Sequence, residues 1–181
     1  MRRSLTITVF AVVALAGIIV LNLPLSGQMD MAFGGKDDVT FANGLWKAIN
    51  GYDNWRMKSD FYKGMSPHGK FLRMYDNIVT IEGKPYNVIV KDNFGGADAT
   101  LKTVAQDPGK FLMAVTVMVQ REPGYDPDDN NWFYVKYAPD GTIDKNEKGV
   151  AMAGRVAKGM DVGCISCHKK AGGQDFIFSN D

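Results

Sequence analysis

The chain has 181 residues, 21 Lys and Arg against 20 Asp and Glu, two cysteines and two histidines. This near-neutral balance leaves no electrostatic footprint for nucleic acid, and so few cysteines and histidines exclude repeated zinc modules and multi-disulfide scaffolds. A hydrophobic share of 45%, with 11% aromatic residues, is that of a packed globule with one sizeable core.

After Arg2 and Arg3 the chain carries no charge until Asp30, and residues 5–21 (LTITVFAVVALAGIIVL) form a dense apolar run. A secretory h-region spans roughly 7–15 residues and a membrane-spanning helix needs about 20, so the run falls between the two. Residues 25–27 (LSG) offer only a passable cleavage site. Residues 1–27 are therefore read as a signal peptide or as an uncleaved N-terminal membrane anchor. Either way the two arginines stay in the cytoplasm, which puts the remainder on the periplasmic side of the inner membrane. Residues 28–38, rich in Gly and polar groups, read as a linker ahead of a domain at 39–181.

Within 39–55, the spacing of Phe41, Leu45, Trp46 and Ile49 suits one face of a short helix broken at Gly51. The period then changes to two. Residues 71–80, 86–90, 112–119 and 132–137 are β-rich runs separated by turn signals at 82–85, 93–96, 123–127 and 139–141. Residues 97–106 carry a weak helical pattern. The expected fold is α+β, mainly an antiparallel β-sheet with few helices.

Both cysteines and one of the two histidines fall in Cys164-Ile165-Ser166-Cys167-His168, a C-x-x-C-H. Two thiols one helical turn apart add across the two vinyl groups of a haem, while the next imidazole reaches the iron. A redox C-x-x-C needs a thioredoxin-like βαβ setting, and a zinc site needs further ligands where only His68 is left. One covalently attached haem c is the reading, with Cys164, Cys167 and His168 as its ligands. The thirteen residues after His168 contain neither Met nor His. A sixth iron ligand must come from upstream: His68, in a Ser66-Pro67-His68-Gly69 turn, or methionines such as Met65, Met74, Met113 and Met118, which otherwise pack the core.

From residue 66 to 178 the chain resembles the cytochrome P-460 family, which includes the β-type cytochromes c-prime. The resemblance rests on Pro67-His68-Gly69 with Arg73 and Tyr75, on residues 88–93 (VIVKDN), on Asn131-Trp132, on CISCHKKA, and on Asp175-Phe176-Ile177-Phe178. It implies a largely antiparallel sheet with one haem c near the C-terminus. For Lys91 it implies a covalent bond to the haem edge, as in the enzyme branch, or no such bond, as in the c-prime branch; the residues alone imply a strand-end lysine snorkelling to water. It also places the distal acidic residue of hydroxylamine-oxidising relatives at Thr116, which cannot serve as a base. Asp92 and Glu122 are the substitutes, against a solvated reading for each. Phe71, Phe94, Met113 and Met118 are candidates for an apolar pocket that would favour nitric oxide.

Two functions follow. One is a cytochrome with iron open to small nitrogen species, through hydroxylamine oxidation or nitric oxide binding. The other is a six-coordinate electron-transfer subunit, held to the membrane by residues 5–21 and docked on a redox partner protein. Homodimers are common among the β-type relatives. Lys70, Arg73 and Arg121 are candidate propionate partners or plain surface charges, and Asp126, Asp128 and Asp129 read as a solvated loop.

Overall fold

The computed structural model describes residues 32–178. The apolar run 5–21 and the first part of the expected linker lie outside the described residues. Among the described residues no helix is long and apolar enough to cross a membrane.

Helix α1 (Lys36–Ala48) has Asp37 and Asp38 in its first turn and Lys47 in its last, each charge complementing the helix dipole. Ala42, Leu45 and Ile49 recur on one face and are buried, as the period of three to four requires. The chain turns away at Gly51, whose φ of 77° lies in the left-handed region. Phe33 already pairs with Gly154, and the Gly34 amide donates to the Ala153 carbonyl at 2.7 Å. The described chain thus joins the sheet ahead of Val39.

Two short strands, β1 (Met57–Lys58) and β2 (Tyr62–Lys63), pair with the long β3 (Phe71–Ile81). A two-residue turn, Glu82-Gly83, joins β3 to β4 (Lys84–Phe94). Both turn residues have positive φ, 50° and 79°, the hairpin geometry whose twist matches that of the strands. Helices α2 (Leu101–Gln106) and α3 (Pro108–Phe111) lead into β5 (Leu112–Gln120), β6 (Trp132–Tyr137), β7 (Ala153–Gly154) and α4 (Cys164–His168). Thr100 caps α2 through a reciprocal capping box with Thr103. The strands form one antiparallel seven-stranded sheet in the order β1-β3-β4-β5-β6-β7, with β2 also on β3.

The expected fold class therefore holds, and the four long strands stand where the period-two runs are. The expected turn at 93–96 differs: β4 continues through Asn93 and Phe94, where the register with β5 shifts. The three two-residue strands carry no period of their own and exist only through pairing with longer neighbours.

Both faces of the sheet are covered. Val88, Val90, Val117 and Phe133 pack beneath α1, with Leu45 at 0% exposure. Ile89, Met118, Trp132 and Tyr134 point the other way, against Val156 and Ile165 of the C-terminal segment. Truncating Leu45 leaves a hole that rigid strands cannot fill, so Leu45→Ala is expected to lose about 2–5 kcal/mol. A fall in the urea midpoint at unchanged m-value would show it.

Candidate functional site

Period two along β4, β5 and β6 selects what faces the C-terminal segment. Ile89, Lys91 and Asn93 of β4 share that face with Thr116 and Met118 of β5 and with Tyr134 and Lys136 of β6. Opposite them, α4 brings Cys164, Cys167 and His168. Between the two lies a cavity of about 520 Å³. Its wall is mainly apolar and includes Phe33, Met113, Met118, Met152 and Val156. One edge reaches solvent, where Met160 is 57% and Val162 82% exposed.

α4 is a short helix held by its surroundings. The Cys167 amide donates to the Gly163 carbonyl and the Lys169 amide to that of Ile165, while the Ile165 side chain is buried beside Val156 and Trp132. That anchoring leaves both thiols and the imidazole on the cavity side. The thiols are free, and burial pushes that of Cys164 up to about 11. A redox C-x-x-C works through a lowered thiol pKa, whereas burial acts on Cys164 in the opposite direction.

His168 is 5% exposed, and burial lowers its pKa to about 4, so the imidazole is neutral. Its Nδ1 stands 2.8 Å from the Phe176 carbonyl, which can only accept. The proton is therefore on Nδ1, and Nε2 keeps its lone pair, the orientation in which metal-binding histidines are held. The carbonyl reaches this place because the tail is clasped. Trp132 Nε1 donates to the Asp175 carbonyl at 2.8 Å, Asn130 to that of Gln174, and Lys91 Nζ to that of Phe178 at 2.9 Å. Two thiols one turn apart, a neutral imidazole with a free nitrogen and a largely apolar cavity beside them fit a covalently held haem.

Lys91 does not snorkel to water. Strand β4 runs on past it with both faces covered, so it is 5% exposed in the cavity wall and burial lowers its pKa to about 8. Thr116 is its cross-strand partner and also lines the cavity. Its hydroxyl accepts from Asn93 Nδ2 at 3.1 Å. His68 lines the same cavity, with its Nδ1 2.9 Å from Asn93 Oδ1 and its pKa lowered by burial. The site thus brings together Lys91, Thr116, His68, Cys164, Cys167 and His168.

Other candidates lie elsewhere. Phe71 and Phe94 pack with Val104 and Phe111 in a separate cluster, because the register shift at Asn93 and Phe94 turns the end of β4 away. Met113 and Met118 do line the cavity, whereas Met65 is exposed and Met74 packs in the cluster of Ile89 and Met118 without lining the cavity. Asp92 faces α1, buried and accepting from Tyr52 at 2.6 Å and Tyr75 at 3.0 Å. Glu122 pairs with Arg121 at the surface. Arg73 donates to the Ser59 carbonyl, Lys70 to that of Ala99, and the Arg121 guanidinium lies 3.9 Å from the Phe41 ring centre. None of these three cations lines the cavity.

The acidic loop is corrected too. Asp126 and Asp129 are buried, not solvated, because the turn after β5 folds inward and Lys158 pairs with Asp126, while Asp128 is exposed as expected. The Asp129 carboxylate makes no hydrogen bond of good geometry, although the Tyr134 hydroxyl stands close by, and burial raises its pKa to about 6.

Sequence reasoning missed Asn93 and Lys136. Lys136 lies opposite Thr116 on β6 and pairs with Asp144 at 2.7 Å. Asn93 follows Lys91 at the period of two. That parity would have found it, had the expected turn not ended the strand there.

The family model for Cytochrome P460 matches residues 49–179, most of the chain. Neither curated proteins nor solved structures match it. With the haem-attachment motif, the oriented imidazole and the cavity in one place, the match shows that the chain belongs to the cytochrome P460 family, whose proteins bind a covalently attached c-type haem.

Proposed function

We propose that this monohaem c-type cytochrome is an electron carrier and not a hydroxylamine oxidase. Cys164 and Cys167 are the attachment points and His168 the proximal ligand. The observation that carries the reading is the cavity wall, which among the described residues contains no carboxylate. Oxidising hydroxylamine requires a base to take protons from the substrate nitrogen. Asp92 is on the far side of the sheet, Thr116 is a hydroxyl already engaged with Asn93, and Lys91 is tied to the tail.

Haem c supplies a one-electron Fe(III)/Fe(II) couple whose potential depends on axial ligand, burial and nearby hydrogen bonds. The chain's part is to hold His168 neutral and oriented, to keep water from most of the cavity, and to leave the Met160 and Val162 edge open to a redox partner protein. Export is supported by Arg2 and Arg3 followed by the charge-free run to Met29. The periplasmic side is also where thioether attachment is made. A second reading, binding of nitric oxide or another small neutral nitrogen species, is favoured by the methionine-rich wall.

The test is a spectroelectrochemical titration of the holoprotein, paired with a hydroxylamine-dependent dye assay. One reversible one-electron wave with dye reduction at background is expected; catalytic dye reduction would overturn the electron-carrier reading. A tryptic haem peptide reports on Lys91 in the same sample. If it contains Lys91 as well as the C-x-x-C-H segment, a cross-link is present; if not, Lys91 is the tail's anchor.

A further inference from the structure

We propose that His68 is the second axial ligand, closing the iron as a bis-imidazole centre. The inference rests on the reading of one haem c held at His168. His68 and His168 line the same cavity with ring centroids 6.2 Å apart and planes at 79°. A metal–imidazole bond is about 2 Å, and roughly 1 Å more separates the nitrogen from its ring centre. Two imidazoles on opposite sides of one metal therefore have centroids about 6 Å apart. The observed spacing matches that separation.

Hydrogen bonding identifies the nitrogens that remain free. Asn93 Nδ2 donates to the Lys91 carbonyl at 2.8 Å and to Thr116 Oγ1 at 3.1 Å, which fixes the amide's orientation. Asn93 Oδ1 then accepts from the Gly69 amide at 3.2 Å and from His68 Nδ1 at 2.9 Å. His68 thus carries its proton on Nδ1, as His168 does, and its Nε2 has an unused lone pair. Asn93 is the positioning residue for His68, as the Phe176 carbonyl is for His168.

The backbone holds His68 in place as well. A Cβ on Gly69 would stand 2.6 Å from the Phe94 amide nitrogen and carbonyl oxygen. Only glycine lets the turn lie this close to β4. The His68 amide also donates to the Met65 carbonyl at 2.8 Å, closing the turn. The ligand is presented by a seated turn whose His68 ring and Gly69 amide both bond Asn93, on the strand carrying Lys91.

The test uses the ferric and ferrous holoprotein. Wild type is expected to be low-spin in both states and to lack a methionine-to-iron charge-transfer band. Its ferric EPR should show the strongly anisotropic signal of crossed imidazole planes. His68→Ala is expected to become high-spin, to return to low-spin on adding imidazole, and to bind carbon monoxide on the order of tenfold or more tightly, because a closed site lowers apparent affinity by the fraction open. A high-spin wild type with attached haem overturns this inference alone, as does a low-spin spectrum that survives in His68→Ala. If that variant does not fold, the wild-type EPR and charge-transfer spectra decide by themselves. Absence of covalent haem, or of a reversible couple, would overturn the underlying reading instead.

Discussion

Replacing both Cys164 and Cys167 by serine is expected to abolish covalent haem retention. Acid–acetone extraction should strip all haem from the double variant and none from the wild type. The single variants should retain haem through one thioether, with a pyridine haemochrome band shifted toward that of a haem keeping one vinyl group. The logic is geometric: the two thiols stand one turn apart on α4, facing a single cavity, and burial raises the Cys164 thiol pKa, which disfavours the thiolate that disulfide exchange requires. The sheet core under α1 does not involve this helix, so far-UV circular dichroism should stay close to that of wild type. Thermal stability should fall, since a group bound only by the folded state stabilises it by mass action. Covalent haem in the double variant would contradict the assignment and point to Lys91 as a second attachment.

The second large effect is on stability against pH. The Asp129 carboxyl rises from an ordinary 3.8 to about 6 because it is buried, with Asp126 adding to the rise and the Lys169 and Lys158 charges opposing it. Its folded state holds a proton more tightly than its unfolded state does. Stability from this group is full below about 4 and is lost as pH rises through about 6. Asp129→Asn mimics the protonated form and should flatten that decline. At neutral pH the variant should gain about 1–2 kcal/mol, roughly 2–8 °C in Tm for a chain of this size. Thermal unfolding between pH 4 and 8 would check it: parallel wild-type and variant curves would remove Asp129 from the account.

The chemistry of the site was legible because it is local. A C-x-x-C-H needs only one turn of helix to present two thiols and an imidazole to one cofactor, so its five residues carry the meaning wherever the fold places them. The long strands were legible for a similar reason, since a period of two records which face is buried. Lys91 and Asn93 show the limit of that signal. A lysine before Asp-Asn-Phe-Gly-Gly looks like a strand end, and only pairing with β3 and β5 carries β4 through to Phe94 and buries Lys91. Asp126 and Asp129 failed in the same way, because a proline-flanked acidic turn has a polar pattern whether it faces water or folds inward.

The period-two runs and the attachment motif were enough to define a haem protein of mainly antiparallel sheet. Those features depend on residue type and short spacing, which the chain carries without folding. Whether the iron's distal side is open depends instead on a distance. His68 and His168 are separated by a hundred residues in the chain and by 6.2 Å between ring centroids in the fold. That proximity arises from the β4 register, from a glycine small enough to touch the strand, and from a tail clasped by Trp132 and Lys91. Each is a long-range packing relation, and no spacing along the chain encodes it.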